Sequence, residues 1–327
     1  MYAAWYERNG SADDVLTVGE MDDPQVGSGE VRVRVYASGV NPSDVKRRGG
    51  SPSKMAFPRV VPQSDGAGII DAVGEGVPGE RLGERVWLWN AQFGRPFGTA
   101  AQYVALPSEQ AVHLPDNVDF AAGACLGIPA LTAHYGLFAD GPISGQTVLI
   151  SGGSGAVGNA AVQLAKWGGA TVITTVSSSN KAEVARDAGA DHVLNYKEED
   201  VQARIKDSTG GKGVDRIVEV AFGPNLSLDL TVLKQSGVLV TYGSDAEREP
   251  RIPFGTLLSN DITVRFILVY LLKGQLRRQG IEDVNASLTA GKLKPLVAQH
   301  YPLEQIKAAH KAVESGQVVG NVVVDIQ

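Results

Sequence analysis

Strict alternation of apolar and polar positions marks the first third of the chain. Val31-Arg32-Val33-Arg34-Val35-Tyr36 puts every second residue on one face, the pattern of a half-buried strand. The segments Gly68 to Gly74 and Glu84 to Trp89 read as further strands. Prolines and glycines such as Pro24, Gly29, Pro58, Pro62, Gly76 and Gly83 fall between them as turns. Short strands with frequent turns predict a small, barrel-like β domain.

Near residue 120 the period changes. Asp119 can cap a helix through Phe120–Leu126, and Pro129 leads into another. Strand and helix patterns then alternate. Strands are expected at 147–150, 171–176, 192–194, 217–220, 238–241 and 262–266, with helices at about 156–167 and 180–188. Six strands with intervening helices read as a doubly wound parallel sheet. Helices near 281–290 and 303–315 and a strand at 321–326 follow. The sheet is complete without this tail, so the tail is expected to return to the first domain. The expected division is a β-rich domain over 1–121, a nucleotide-binding domain over 122–267 and a returning segment over 268–327. A length of 327 residues suits two domains.

Between the first strand and helix of the second half lies Gly152-Gly153-Ser154-Gly155-Ala156-Val157-Gly158. Gly152, Gly155 and Gly158 stand at GxxGxxG spacing, and the strand–loop–helix context raises the pattern above chance. Glycines allow a tight turn, and a helix N-terminus offers free N–H groups to a pyrophosphate. The plainer alternative is a flexible loop before a helix. Position 156 is alanine, so Ser154 is not the nucleophile of a GxSxG elbow. At the end of the second strand an NAD enzyme would carry a carboxylate for the ribose 2′-hydroxyl. This chain has Ser177-Ser178-Ser179-Asn180-Lys181, with no carboxylate before Glu183. Three hydroxyls and an ammonium suit a 2′-phosphate, which predicts NADPH. The serines can also simply cap the helix.

Composition removes several function classes. Lys and Arg number 30 against 36 Asp and Glu, a net charge of −6 without a basic block, so no nucleic-acid partner is expected. The one cysteine, Cys125, excludes a disulfide framework and Cys-rich zinc sites. Five histidines (His113, His134, His192, His300, His310) form no close pair, and His310 reads as a surface residue beside Lys311. No metal site is expected. The longest apolar stretch, Ile262–Leu272, contains Arg265 and falls far short of the ~20 residues of a membrane span. With no signal pattern at Met1–Arg8, a cytoplasmic location is expected. Glycine is plentiful at 39 residues, which fits many tight turns and close backbone approaches.

A set of short motifs spans nearly the whole chain: Ser38-Gly39-Val40-Asn41-Pro42-Ser43-Asp44, Pro62-Gln63-Ser64-Asp65-Gly66-Ala67-Gly68, Val73–Val77, Gly83–Val86, Gly98–Tyr103, Gly127–Ala133, and Tyr301–Glu304 followed by Ala309-His310. With the glycine loop, these resemble the zinc-independent, zeta-crystallin-like quinone oxidoreductases of the medium-chain dehydrogenase/reductase superfamily. The resemblance implies a GroES-like β-barrel catalytic domain beside a Rossmann domain, with the active site in the cleft between them. Zinc-containing relatives carry Cys where this chain has Asn41 and His where it has Ser64. Carried over position by position, Asn41 matches an active-site asparagine near the nicotinamide. Gly152 to Val157 match the phosphate loop, Lys181 a contact to the 2′-phosphate and Tyr196 an adenosine-side tyrosine. Tyr242, Gly243 and Ser244 match the nicotinamide-side turn, and Asn321 a residue facing the cofactor. The chain departs from the family at Lys46, where a tyrosine is common near the quinone.

The expected function is therefore NADPH-dependent, zinc-independent reduction of quinones or related conjugated carbonyl acceptors, with Asn41 and Lys46 as candidate donors to the developing oxyanion. The alternatives are reduction of an enone or enoyl-thioester double bond, with Lys46–Arg48 and Phe93–Phe97 suiting a larger or phosphorylated acceptor, and a non-catalytic, crystallin-like nucleotide-binding role. The apolar run Ile262–Tyr270 is expected to be an edge strand covered by a two-fold mate in a homodimer.

Overall fold

The computed structural model of the chain describes residues 1–51 and 54–326. The alternating segments become strands β1 (Tyr2–Trp5), β2 (Thr17–Glu20), β3 (Glu30–Val40), β4 (Asp65–Val73), β5 (Arg85–Leu88), β6 (Tyr103–Pro107) and β7 (Ala111–His113). Short helices α1 (Ala12–Val15), α2 (Pro42–Arg48) and α3 (Phe120–Gly123) accompany them. In β3 the valines at 31, 33 and 35 are buried, and Arg34 between them is exposed. Arg32 on the polar side grips Asp71 of β4 through two hydrogen bonds of 3.0 and 2.9 Å. Asp119 caps α3 by accepting from Ala122 N at 2.7 Å, as its position suggests.

The second half begins with α4 (Leu131–Phe138). It continues β8 (Thr147–Ile150), α5 (Ala156–Trp167), β9 (Thr171–Val176), α6 (Ser179–Asp187), β10 (His192–Asn195), α7 (Val201–Ser208), β11 (Val214–Glu219), α8 (Phe222–Val232), β12 (Leu233–Thr241), α9 (Phe254–Ser259), β13 (Thr263–Phe266) and α10 (Gly274–Thr289). The six strands are parallel in the order β10-β9-β8-β11-β12-β13, the doubly wound arrangement. Ile173, Leu149, Ile217, Leu239 and Val264 stand in register across five of them and form an apolar stripe. Burying each such side chain is worth about 1.5–3 kcal/mol. The tail supplies β14 (Val297–Pro302), α11 (Ile306–Glu314) and β15 (Asn321–Asp325). There β15 pairs antiparallel with the second half of β3, while β6 pairs with its first half, giving a sheet ordered β14-β15-β3-β4-β5-β7.

The chain divides into two compact units, Met1–Pro129 with Pro295–Gln327, and Ala130–Lys294. The return to the first unit thus starts at Pro295, not at 268. Helix α10 stays with the nucleotide unit because it packs on α4, where Asp283 meets His134 Nε2 at 2.8 Å.

Two further expectations are corrected. The sixth strand ends at Phe266 and does not run to Tyr270. Val269–Leu271 form a 3-10 turn that buries Val269 and Tyr270. The buried Arg277 guanidinium on α10 captures the carbonyls of Val269 (3.0 Å) and Leu272 (2.7 Å), which ties the turn to α10. His310 is fully buried, not a surface residue. On α11 it shares the inward face with Ile306 and Ala309 and receives Arg48 Nε on its Nδ1 at 3.4 Å.

Candidate active site

The glycine loop begins where β8 ends. Ser151 N donates to Val218 O at 3.0 Å, and Gly153 N to Thr175 O at 3.2 Å, so the loop is tied to both neighbouring strands. Gly152 has φ +72°, a left-handed backbone that other residues adopt only with strain. A Cβ on Gly158 would lie 2.1 Å from Gly152 O, so helix and loop approach at glycine distance. Gly153, which the spacing argument passed over, is just as constrained: its Cβ would meet Thr174 Oγ1 at 2.2 Å. Gly155 is different. A Cβ there would find its nearest atom, Gly152 O, at 3.5 Å. Gly155 is the N-cap of α5 and brings no capping side chain, so none occupies the first-turn N–H groups at Ala156, Val157 and Gly158, an arrangement suited to an anion.

The end of β9 is equally well defined. Ser178 caps α6 by accepting from Lys181 N at 3.4 Å. Lys181 Nζ turns back to donate to Ser177 Oγ at 3.2 Å. The two readings of the serine run thus fall on different residues, with Ser178 as the cap and Ser177 as the lysine's partner. Tyr196 follows β10 with half its surface exposed, held by its N–H to Val176 O at 3.1 Å. The adjacency of β9 and β10 therefore brings Ser177, Lys181 and Tyr196 to one edge of the sheet.

On the other side of the glycine loop, the turn after β12 is bound to the turn after β11. Phe222 N donates to Gly243 O at 2.9 Å, Gly223 N to Ser244 Oγ at 2.9 Å and Tyr242 N to Glu219 O at 3.1 Å. Gly243 packs so closely that a Cβ would lie 2.6 Å from Val220 O. Burial, and then the Glu219 charge, push the Tyr242 phenol upward. Glu219 itself, buried at the end of β11, was given no role in the sequence, although a carboxylate inside the apolar run Ile217–Val220 is a signal.

In the β-rich unit, Asn41 is the N-cap of α2 and is 3% exposed. Its backbone N donates to Asp44 Oδ2 at 2.8 Å and its Nδ2 to Asp65 Oδ2 at 2.9 Å. Ile128 N donates to the same Asp65 oxygen at 3.0 Å. Burial raises the Asp44 carboxyl to about 6. Burial, and then the Asp44 charge, raise Asp65 well above its ordinary range. Only glycine fits at 127, where a Cβ would lie 2.4 Å from Asp65 Oδ1. Next to it, Gln63 takes φ +77° and accepts from the Ser38 hydroxyl. Asn41 is thus gripped by two buried carboxyl groups that come from motif residues given no role in the sequence.

Lys46 lies exposed on α2, but the basic cluster around it is not a unit. Arg47 bonds to Gln92 and stands 5.8 Å from the Phe93 ring centroid. Arg48 is 1% exposed and is spent on Gly10 O, His310 and Glu314. Arg95 bonds to Ala105 O. Of the expected Lys46–Arg48 cluster, Arg48 is therefore withdrawn into the interior. Asn321 uses its Nδ2 within its own unit, on Leu296 O at 2.9 Å.

No group of three His, Cys, Asp or Glu side chains suits a metal ion among the described residues. Around Asn41 and Ser64 the groups are an amide, a hydroxyl, two high-pKa carboxyls and, near Asp65, the buried Cys125 thiol, whose pKa burial raises, without an imidazole, which does not fit a zinc site. The residues do fit a phosphorylated dinucleotide: an open helix N-terminus for the pyrophosphate and a serine–lysine pair for a further phosphate.

Comparison with known proteins agrees with this geometry. Residues 27–116 match the alcohol dehydrogenase GroES-like domain family, and residues 156–284 match the zinc-binding dehydrogenase family. The chain is 32% identical to the human quinone oxidoreductase over 288 residues, covering 88% of this chain and 86% of that one. It is 31% identical to a 2-haloacrylate reductase of a Burkholderia species, covering 98% of each. The solved structure of a mycobacterial protein complexed with NADPH superposes with a TM-score of 0.88 at 28% identity, covering 99% of this chain and 100% of that one.

Proposed function

The chain belongs to the quinone oxidoreductase family of the medium-chain dehydrogenase/reductase superfamily, and from that premise we propose that it is an NADPH-dependent reductase of quinones or related conjugated carbonyl acceptors, working without zinc. The observation that carries the cofactor choice is the Ser177–Lys181 contact at the end of β9, where an NAD-preferring site would present a carboxylate. The bound dinucleotide supplies hydride from nicotinamide C4, and the chemistry of transfer is largely its own.

The chain's residues bind and orient. The α5 N-terminus at Ala156–Gly158 takes the pyrophosphate, and Lys181 with Ser177 takes the 2′-phosphate. Tyr196 covers the adenosine side. Tyr242, Gly243 and Ser244 form the nicotinamide-side turn, with Asn321 as a further contact. Asn41, held by Asp44 and Asp65, keeps a second amide N–H for the cofactor or for the oxygen that becomes an oxyanion, and Lys46 offers an ammonium to the same oxygen.

A second reading has specific support. The haloacrylate reductase relative spans 98% of the chain, and its name describes reduction of a small conjugated acid. Lys46 and Arg47 suit a carboxylate in such an acceptor. NADPH oxidation with a panel of benzoquinones, enals, enoyl thioesters and 2-haloacrylates separates the readings. Specificity constants highest for quinones support the first, and constants at least tenfold higher for a conjugated acid or thioester support the second.

We also propose a homodimer through the free edge of the six-stranded sheet. Around β13, Phe254, Leu258, Phe266, Leu268 and Leu271 are each more than half exposed, a patch that water-facing edges avoid.

A further inference from the structure

In a doubly wound sheet the chain leaves its two central strands in opposite directions, and a crevice opens where their carboxyl ends part. Here the central strands are β8 and β11, paired Val148 to Arg216, Leu149 to Ile217 and Ile150 to Val218. One residue further, Ser151 and Glu219 stand level at the floor of that crevice. Glu219 is 1% exposed. Its Oε1 accepts from Ala221 N and from Asn225 Nδ2 at 3.1 Å. The Ser151 hydroxyl and the Val220 N–H lie close enough to the carboxylate to favour its charged form. One side chain thereby ties the opening residue of the glycine loop to the turn after β11. That turn in turn holds the 242–244 segment through Phe222 and Gly223. Val220, whose position this carboxylate sets, lies between Gly152 and Gly243 and is 41% exposed at the lip.

We propose that Glu219 is a positioning residue for the nicotinamide half of the dinucleotide. It acts by fixing Ser151, Val220 and Ala221 as one rigid wall of the switch-point crevice. The inference rests on the dinucleotide reading of the glycine loop and goes beyond it, because Glu219 hydrogen-bonds none of the residues assigned to the phosphates or the adenosine. Asp229 on α8, 1% exposed with its Oδ2 unpartnered among the described residues, lies behind it. Burial, and then the Glu219 charge, raise Asp229 to about 9, so it remains neutral. Burial also raises Glu219, but its four donors favour the ionised form.

The test compares two probes, NADPH and 2′,5′-ADP, which carries the adenosine half without nicotinamide. Their dissociation constants are measured by fluorescence and calorimetry on the full chain and on Glu219→Gln, which keeps the shape but cannot accept from all four donors. The expected result is an NADPH dissociation constant raised at least tenfold, loss of the shift in bound-nicotinamide emission, and 2′,5′-ADP binding within threefold of the unaltered chain. Where Glu219→Gln does not fold, Asn225→Ala withdraws one donor and should raise the NADPH constant about threefold, with 2′,5′-ADP unchanged. Unaltered NADPH binding overturns the proposal, and so does an equal loss for both probes, which marks a merely structural role. An unaltered chain that binds neither probe overturns the dinucleotide reading itself, and the positioning role with it.

Discussion

Replacing Lys181 by glutamate probes the site where structure and cofactor choice meet most directly. The ammonium is half-buried and anchored 3.2 Å from Ser177 Oγ, so little ordering remains to be done when a phosphate arrives. Two unit charges 4 Å apart interact by about 1 kcal/mol in water and about 4 kcal/mol at an effective dielectric of 20. A half-exposed pair falls between, at roughly 2 kcal/mol. With 1.4 kcal/mol per tenfold, Lys181→Ala should weaken NADPH by about 30-fold. Lys181→Glu adds repulsion of similar size, so the NADPH to NADH preference should fall by about a thousandfold. The assay is the KM for each cofactor at saturating acceptor, with dissociation constants at low and high salt. Salt should shrink the effect, because the contact is partly exposed. An equal rise for NADPH and NADH in either variant would refute the 2′-phosphate assignment.

Three further outcomes follow from packing and charge. Gly158→Ala forces a methyl to 2.1 Å from Gly152 O and should cost about 1–3 kcal/mol, lowering the melting temperature by several degrees and weakening NADPH; Gly155→Ala, with 3.5 Å of room, should leave the melting temperature unchanged. Burial, and then the Arg48 charge, lower His310 from 6.5 to about 3, so the folded state favours neutral imidazole. The stability this contributes is complete above pH 6.5 and is lost as pH falls toward 3, amounting to ~3 kcal/mol at pH 4. His310→Gln should remove that share of the pH dependence in urea unfolding, and an unchanged difference between pH 7 and pH 4 would count against it. Phe266→Glu should give a monomer in light scattering at micromolar concentration if the β13 edge is the dimer interface, whereas a monomeric mass for the unaltered chain would end the dimer proposal.

How much was legible in the chain depended on how local each signal is. The glycine loop, the six parallel strands and the Ser177–Lys181 pair are continuous in sequence, and periodicity plus motif found them. The sixth strand was overextended because a run of apolar residues does not distinguish a strand from a buried turn. Beyond it the chain is bound instead by Arg277, which captures the carbonyls of Val269 and Leu272 from a helix that begins later in the chain. His310 was misplaced although its spacing with Ile306 and Ala309 marks the inward face of a helix; the neighbouring Lys311 drew attention to the wrong side. Glu219, marked only by its place in an apolar run, and the Asp44–Asp65 pair around Asn41 were given no role for a different reason. Their partners Ser151 and Ile128 come from distant segments, so burial and shared hydrogen bonds exist only once the chain is folded.

The central claim is that this chain passes hydride from NADPH to a conjugated carbonyl acceptor without a metal. Its most direct test is acceptor-dependent loss of the 340 nm absorbance of NADPH by protein dialysed exhaustively against a chelator, with NADH run in parallel and metal content measured on the same sample. The account predicts undiminished turnover of a quinone, at least tenfold preference for NADPH, and well under one zinc per chain. Turnover that disappears with the chelator and returns with stoichiometric zinc, or oxidation of NADH at the same efficiency as NADPH, would contradict it.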